Sequence, residues 1–378
     1  MRILHTSDWH LGRSDAEHSL IDDQRFFIDA IADIIREKNI DAVIVAGDVF
    51  DRSVASTEAI RLYDYAMRRM CIELKKKALV IAGNHDGAAR LSSCRDLLSA
   101  AGLYVCGALT AQPQKAEFDD VEIYMLPWIT EEKVKSVYPE EADAVGSLED
   151  AYRTVTRHMR ETFTPGKRHI VAAHAFITKA ETSTSDLAAE IGLATQVGAG
   201  VFDGFDYAAL GHIHKPQDVG GIARYSGTPM PYSFGKEETQ QKSVTLIDTA
   251  DMSREILPLP LLHRRATLKG AMESLLSAPC DEETRLGYVK LEITDQYADA
   301  EAAFALRAVY PNMLEFSGLT FDDANASITL TAEELEEMET DPTEVFRRFC
   351  MEVIKMEPDE HLTDLFRAAL AAPQEDDA

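Results

Sequence analysis

Five short stretches of the sequence put metal-binding donors directly after an apolar run. Asp8 and His10 stand two residues apart beyond the run at 2–5. Asp48 follows 43–46 across Gly47, and Asn84, with His85 and Asp86 behind it, follows 78–82 across Gly83. His174 ends the run 170–173, and His212 and His214 follow 207–210 across Gly211. If the chain stays extended past the first run, Asp8 and His10 point to one side. A mixture of carboxylate, imidazole and amide donors suits Mn, Fe or Zn in the +2 state. It suits neither calcium, which takes oxygen, nor thiolate-bound structural zinc. The chemistry to which this donor set points is that of a divalent transition-metal site.

Each stretch alone has a plainer explanation. A DxH pair arises by chance, Asp48 could serve a turn, and Asn84 could cap a helix beginning near Gly87. His174 could be a satisfied strand-end histidine, and His212 and His214 could lie on an edge strand. The plain explanations fail together, because all five stretches end apolar runs within the same part of the chain.

The elements that must position these donors alternate. The runs 2–5, 42–45, 78–81, 121–126 and 170–173 read as strands. Residues 22–37 read as a helix with Phe26, Phe27, Ile31, Ile34 and Ile35 on one face, and 58–74 as a second helix. Residues 130–167 read as an acidic insertion followed by a helix. This βαβαβ rhythm predicts an α/β domain of buried strands covered by helices, in which ligands gather beyond the carboxyl ends of strands. A weak echo supports one shared site: VIVAGD at 43–48, LVIAGN at 79–84 and YAALGH at 207–212 each run from apolar residues through Gly to a donor. After Pro260 the pattern becomes a small α+β module, with strands at 265–269, 288–294 and 313–321 and helices near Met272 and at 300–309. Two helices are expected at the end, separated by Pro358. Val345, Phe346, Phe349 and Val353 form the stripe of the first; Leu362, Leu365, Phe366, Ala369 and Leu370 form that of the second.

Composition sets limits. With 378 residues, 46% of them apolar, the chain can bury a sizeable core. No run approaches the roughly 18 apolar residues of a membrane span, and a soluble protein is expected. The cysteines, Cys71, Cys94, Cys106, Cys280 and Cys350, form no CxxC pair, which favours a reducing cytosol over a disulfide framework or zinc site. A net charge of −27 argues against free-standing nucleic-acid binding unless a metal, a local basic rim or a partner supplies positive charge.

The motifs DWH at 8–10, GDVFD at 47–51, GNHD at 83–86 and GHIH at 211–214 resemble those of the calcineurin-like metallophosphoesterases. TSDWHLG at 6–12, FDYAALGHIHKPQ at 205–217 and YSGTPMPYSFGKEETQQKSVTLID at 225–248 are similar to the branch that serves as nuclease subunits beside SMC-type ATPases. The resemblance is strong over residues 1–250, looser over the small module, and one of pattern alone in the last two helices. It implies an α/β sandwich of two sheets flanked by helices, with a small α+β capping domain and C-terminal helices. The implied domains are a nuclease domain at 1–262, a DNA-capping domain at 263–335, a helical pair for docking the ATPase at 341–372, and a disordered acidic tail at 373–378.

By the same resemblance, Asp8, His10, Asp48 and His214 hold one ion, and Asp48, Asn84, His174 and His212 the other, with Asp48 bridging and Mn2+ as the cofactor. His85 is the implied catalytic histidine. Asp51 is the implied residue that orients it, although Asp86 could play that part and Asp51 could instead cap a helix. Arg13, Arg52, Arg90, Lys179, Lys215 and Lys236 are candidate phosphate contacts. Tyr232 and Phe234 could stack on bases or pack in the core. The implied function is a 3′–5′ double-strand exonuclease and single-strand or hairpin endonuclease in DNA repair and recombination. It would be cytoplasmic and nucleoid-associated, a homodimer within a heterotetramer that includes the ATPase. The alternatives are a two-metal phosphodiesterase or phosphatase for nucleotides or other small phosphates, and a non-catalytic scaffold that binds DNA ends. The extra module and terminal helices disfavour the former, and the unligated His85 the latter.

Overall fold

The computed structural model describes residues 1–15, 18–183, 185, 196–277, 280–319, 343, 346–347, 350–351 and 357–371. Two compact units divide the chain. The first is Met1–Thr267 with Cys280–Lys290 and Tyr310–Leu314. The second holds the described residues of Leu268–Pro279, Leu291–Val309 and Glu315–Ala378.

The first unit is built on two six-stranded sheets. One runs Ser253–Pro258, Ser243–Asp248, Arg2–Thr6, Ala42–Ala46, Lys77–Ile81, Leu103–Cys106; the other runs Gln217–Asp218, Ala223–Tyr225, Tyr207–Gly211, Arg168–His174, Val121–Leu126, Lys115–Glu117. The central strands of both are parallel. Side chains alternate across each strand, and here both faces are apolar. Leu4, Val43, Val45 and Val80 pack toward the helices with Phe27, Ile31 and Ile35. Ile3, Ile44, Leu79 and Ile81 face Ile170, Ala172 and Ala209 between the sheets. The far side of the second sheet is covered by Leu148–Glu161 through Tyr152, Val155 and Met159. Ser147 starts that helix by accepting from the Asp150 amide, and Ser56 caps Thr57–Met67 through Ala59 in the same way. The result is the α/β sandwich of two helix-flanked sheets.

Two elements differ from the sequence reading. The helix expected at 58–74 ends as an α-helix at Met67 and continues as a π-helical turn over Arg68–Glu73, which buries Met70 and Cys71. The strand expected at 313–321 is observed over Met313–Ser317, and its remainder from 320 lies outside the described residues.

The strands Arg265–Gly270, Tyr288–Ile293 and Met313–Ser317 form a three-stranded sheet in that order. In the second unit, helix Ala300–Val309 buries Ala302 and Leu306 and leaves Phe304 exposed. Of the terminal helices, Glu360–Ala371 is observed, with Leu362 and Leu365 exposed, and Phe366 stacks on Phe346 at 4.2 Å between ring centroids. Val345, Phe349, Val353, the side chains of Ala369 and Leu370, and the tail 373–378 lie outside the described residues. Among those described, no helix is long and apolar enough to cross a membrane.

Candidate metal centre

The seven donors singled out from sequence converge at the carboxyl ends of parallel strands. The loop after Arg2–Thr6 lies along the loop after Ala42–Ala46, fastened by Asp8 N to Gly47 O (3.0 Å), His10 N to Asp48 O (2.9 Å) and Leu11 N to Val49 O (2.9 Å). The extended geometry expected at Asp8 and His10 is not observed. Both take left-handed backbone, at φ 53° and 45°, as do Asp48 at 47° and His212 at 107°. Such conformations cost of order 1 kcal/mol or more each in a non-glycine residue and cluster at functional sites. Four of the donors thus sit on left-handed backbone at the loop turns. The glycines before the donors permit the crowding. A Cβ on Gly47, itself at φ 89°, would lie 2.2 Å from His174 Nδ1, and one on Gly83 would lie 2.1 Å from Asp48 Oδ1.

The seven donors form two clusters, and a third grouping joins His10 to Asp51 and His85. Asp8, His10 and His214 offer donor atoms all within 4.8 Å of one another, with His10 Nε2 3.2 Å from His214 Nε2. Asp48, His174 and His212 form the second, also within 4.8 Å. Asn84 Oδ1 joins it, 3.0 Å from His174 Nε2 and 3.1 Å from His212 Nδ1. Asp48 Oδ2 stands between the clusters, 3.8 Å from His10 Nε2 and 3.4 Å from His174 Nε2. Asp8 Oδ2 and His10 Nδ1 are buried with no hydrogen-bond partner among the described residues. A buried carboxylate oxygen without a donor is costly, and a cation removes that cost. The donor set fits two divalent ions.

His85 lies beside both clusters, its ring edge-on to His10 at 4.9 Å. Its amide donates to Asp48 Oδ1 (2.9 Å), and its Nδ1 lies 2.9 Å from the main-chain carbonyl of Asp51. The contact that orients His85 is therefore a backbone one. The Asp51 carboxylate faces His10 Nδ1 at 3.7 Å and Arg13 at 3.8 Å. Asp86 turns away to accept from the amides of Val49 (3.1 Å), Phe50 (2.9 Å) and Gly83 (2.9 Å), stapling two donor loops together. Arg13, Arg52, Asn84 and His85 line a cavity of about 370 Å³ over the donors.

A sequence profile of the calcineurin-like phosphoesterases matches residues 1–216. The chain belongs to this family. As a metallophosphoesterase it is a metal-dependent hydrolase of phosphate esters. A second profile, the type 5 capsule protein repressor C-terminal domain, matches residues 260–353. The chain is 28% identical over 326 residues to SbcD, a component of the SbcCD nuclease of Staphylococcus epidermidis, covering 85% of this chain and 86% of that protein. Among solved structures, GAP50, the anchor in the inner membrane complex of Plasmodium, shares 11% identity at a TM-score of 0.40, over 85% of this chain and 97% of that one. The phosphopantetheinyl hydrolase of Mycobacterium tuberculosis shares 15% at 0.33, over 61% and 93%.

Burial and neighbouring charge polarise the phosphoesterase site. Burial opposes ionisation of Asp48, but His174, His10 and His85 hold its carboxyl below the usual range. Burial likewise opposes a charge on His174, but Asp48 and Asp8 raise it to about 9. Burial pushes His212 down to about 3 and pushes Asp8 up, with Asp48 adding to the rise at Asp8. Asp48 is thus held ionised beside a charged His174, and a divalent cation would compete with the His174 proton for the same pair.

Of the six candidate phosphate contacts, Arg13 and Arg52 line the cavity. Arg90 donates to Ser53 O (2.9 Å), Lys215 pairs with Glu181, and Lys236 lies 3.3 Å from Thr182 O. Lys179 is exposed. Tyr232 is a core residue: its hydroxyl donates to the Trp9 carbonyl and its ring stands 5.7 Å from His10. Phe234 is half-buried under the Arg265 guanidinium, 5.1 Å from its ring centroid.

Sequence reasoning missed three supports. Gln24, on the first helix, donates to His10 O (2.7 Å) and accepts from the Gly12 amide (2.9 Å). Trp128 stacks on His212 at 5.2 Å, an adjacency with no sequence signal. Glu237 and Lys242 form a fully buried ion pair, 2.9 Å apart, beneath His214. Both lie in the 225–248 segment that carried the resemblance, which was the available signal. Lys242→Ala would leave Glu237 buried without its cation, at an expected cost of about 3–5 kcal/mol. In thermal denaturation that reads as a Tm lowered by on the order of 10 °C; an unchanged Tm would show the pair contributes nothing to stability.

Proposed function

We propose that this chain is a Mn2+-dependent DNA nuclease subunit. In this reading Asp8, His10, Asp48 and His214 hold one ion, and Asp48, Asn84, His174 and His212 the other. What carries it is the convergence of seven donors on two adjoining clusters, with one Asp8 oxygen buried and unsatisfied. The ions supply positive charge against the phosphate and an activated water. His85, whose Nδ1–H donates to the Asp51 carbonyl, would act as an imidazolium that passes its Nε2 proton to the leaving alkoxide and ends as the neutral Nδ1–H tautomer. Asp51 supports His85 by its main chain and faces His10 by its carboxylate. Arg13 and Arg52 steady the phosphate from the cavity wall.

The substrate is DNA, degraded from duplex ends in the 3′ to 5′ direction and cut within single strands and hairpins during repair and recombination. Similarity to a nuclease component along 85% of the chain, together with the second profile match at 260–353, supports this over a small-molecule phosphodiesterase or phosphatase. The net charge of −27 disfavours unaided binding to long DNA, so the reading includes a partner, an SbcC-like SMC-type ATPase. Residues 1–262 form the nuclease domain, 263–335 cap the DNA and 341–372 dock on the ATPase. The assembly is a heterotetramer around a homodimer of this chain, in the cytoplasm at the nucleoid.

The test is an assay of the purified chain with Mn2+ on a hairpin duplex and on a small aryl phosphodiester, with and without the ATPase. The chain alone should hydrolyse the aryl ester, and hairpin cutting should require the partner. Turnover of the aryl ester with no hairpin cutting under either condition would favour the small-phosphate reading. Deleting residues from Asp341 onward should abolish co-purification with the ATPase and leave aryl ester hydrolysis within about twofold of the full chain, since the donors all precede it. Normal association of the truncated chain would remove the docking role.

A further inference from the structure

His214 is held from behind by polar groups that lie outside the metallophosphoesterase motifs. Its Nδ1 is 2.6 Å from Ser185 Oγ, and that hydroxyl donates to Glu237 Oε1. The Glu237 carboxylate is 1% exposed. It also accepts from Lys242 Nζ (2.9 Å), Ser233 Oγ (2.7 Å), Ser183 Oγ (3.1 Å) and the Tyr232 amide (3.0 Å). Five donors from separate parts of the chain pin one carboxylate, so its position is not free to drift.

The proton count follows from the donor inventory. An ionised carboxylate only accepts. Ser185 has one proton and gives it to Glu237, so toward His214 its oxygen can only accept. His214 must then carry its proton on Nδ1, which leaves the lone pair on Nε2, the atom 3.2 Å from His10 Nε2 in the first cluster. Metal-binding imidazoles commonly donate their second N–H to such a partner, which fixes both tautomer and ring direction. The other ligands are backed differently. His174 Nδ1 lies 2.9 Å from the Ala46 carbonyl, and His10 Nδ1 has the Asp51 carboxylate no nearer than 3.7 Å. The His214 ring is backed through Nδ1 by the Ser185 side chain, which can be dissected by substitution.

We propose that Glu237, acting through Ser185, is a positioning residue that fixes the tautomer and orientation of His214 for one of two bound ions. This rests on the two-ion reading above. The relay explains why a glutamate and a lysine are buried together beneath the site, where an apolar pair of similar volume would serve stability as well or better.

The experiment is Mn2+ titration of the full chain by calorimetry, with electron paramagnetic resonance on the same samples. Wild type, Ser185→Ala, Ser185→Thr and the double variant Glu237→Leu/Lys242→Met are compared. Wild type should bind two ions with a spin-coupled spectrum. Ser185→Ala should lose about 10–100-fold in affinity at one ion and keep the other, giving a single-ion spectrum at limiting Mn2+. Ser185→Thr, which keeps the hydroxyl, should restore the pair. The double variant, which replaces a buried ion pair by an apolar one and so guards against simple misfolding, should show the same loss at one ion. Two ions bound by Ser185→Ala with wild-type affinity, or equal weakening of both, would overturn the positioning role. Wild type that binds no Mn2+ would instead overturn the two-ion reading itself.

Discussion

Asp48→Ala should strip the chain of both ions and lower aryl phosphodiester hydrolysis by about 10⁶-fold or more, toward the uncatalysed rate. Asp48 is the donor whose carboxylate stands between the two clusters. Asp48 Oδ2 lies between His10 and His174, and Oδ1 anchors the His85 amide. On the two-ion reading, removing it deletes a shared ligand; it also removes the acceptor of the His85 amide and leaves His174 without the carboxylate that raises its pKa. Calorimetry with Mn2+ and the hydrolysis assay check this together, with circular dichroism to establish folding. A folded variant that still binds two ions would show that Asp48 does not bridge.

His85→Ala should behave differently. The contact from residue 85 to Asp48 is made by the backbone amide, which alanine keeps. Both ions should therefore bind with near wild-type affinity, while hydrolysis falls by about 10²–10⁴-fold, the usual worth of a positioned proton donor. The loss should shrink for esters whose leaving group needs no proton, such as nitrophenolate. Metal loss equal to that of Asp48→Ala would show that His85 is a ligand and not a proton donor. The same loss of rate for every leaving group would remove the acid role.

Much of this was legible in the sequence, for a definite reason. Strands buried on both faces read as continuous apolar runs, and the donors stand where those runs stop, so the ends of Arg2–Thr6, Ala42–Ala46, Lys77–Ile81, Arg168–His174 and Tyr207–Gly211 were marked in advance. The glycine echo was a trace of crowding at these ends, visible as composition before it was visible as distance. Other features were set by contacts that no local pattern encodes. The hairpin Ser243–Asp248 with Ser253–Pro258 completes the first sheet by pairing with Arg2–Thr6 from more than 200 residues away. The π-turn at Arg68–Glu73 keeps the apolar spacing of a helix while changing its hydrogen bonding, so periodicity alone could not separate the two. The left-handed backbone of Asp8 and His10 came from pairing with the neighbouring loop, not from either residue's own preference. Asp51 was singled out for its carboxylate, yet the atom that meets His85 is its carbonyl, which sequence cannot distinguish.

The most direct test of the two-ion centre is anomalous diffraction from crystals of the full chain grown with Mn2+. Two peaks should appear, one among Asp8, His10 and His214 and one among Asp48, Asn84, His174 and His212, with the Asp48 carboxylate contacting both. A single peak, or manganese bound away from these seven side chains, would contradict it.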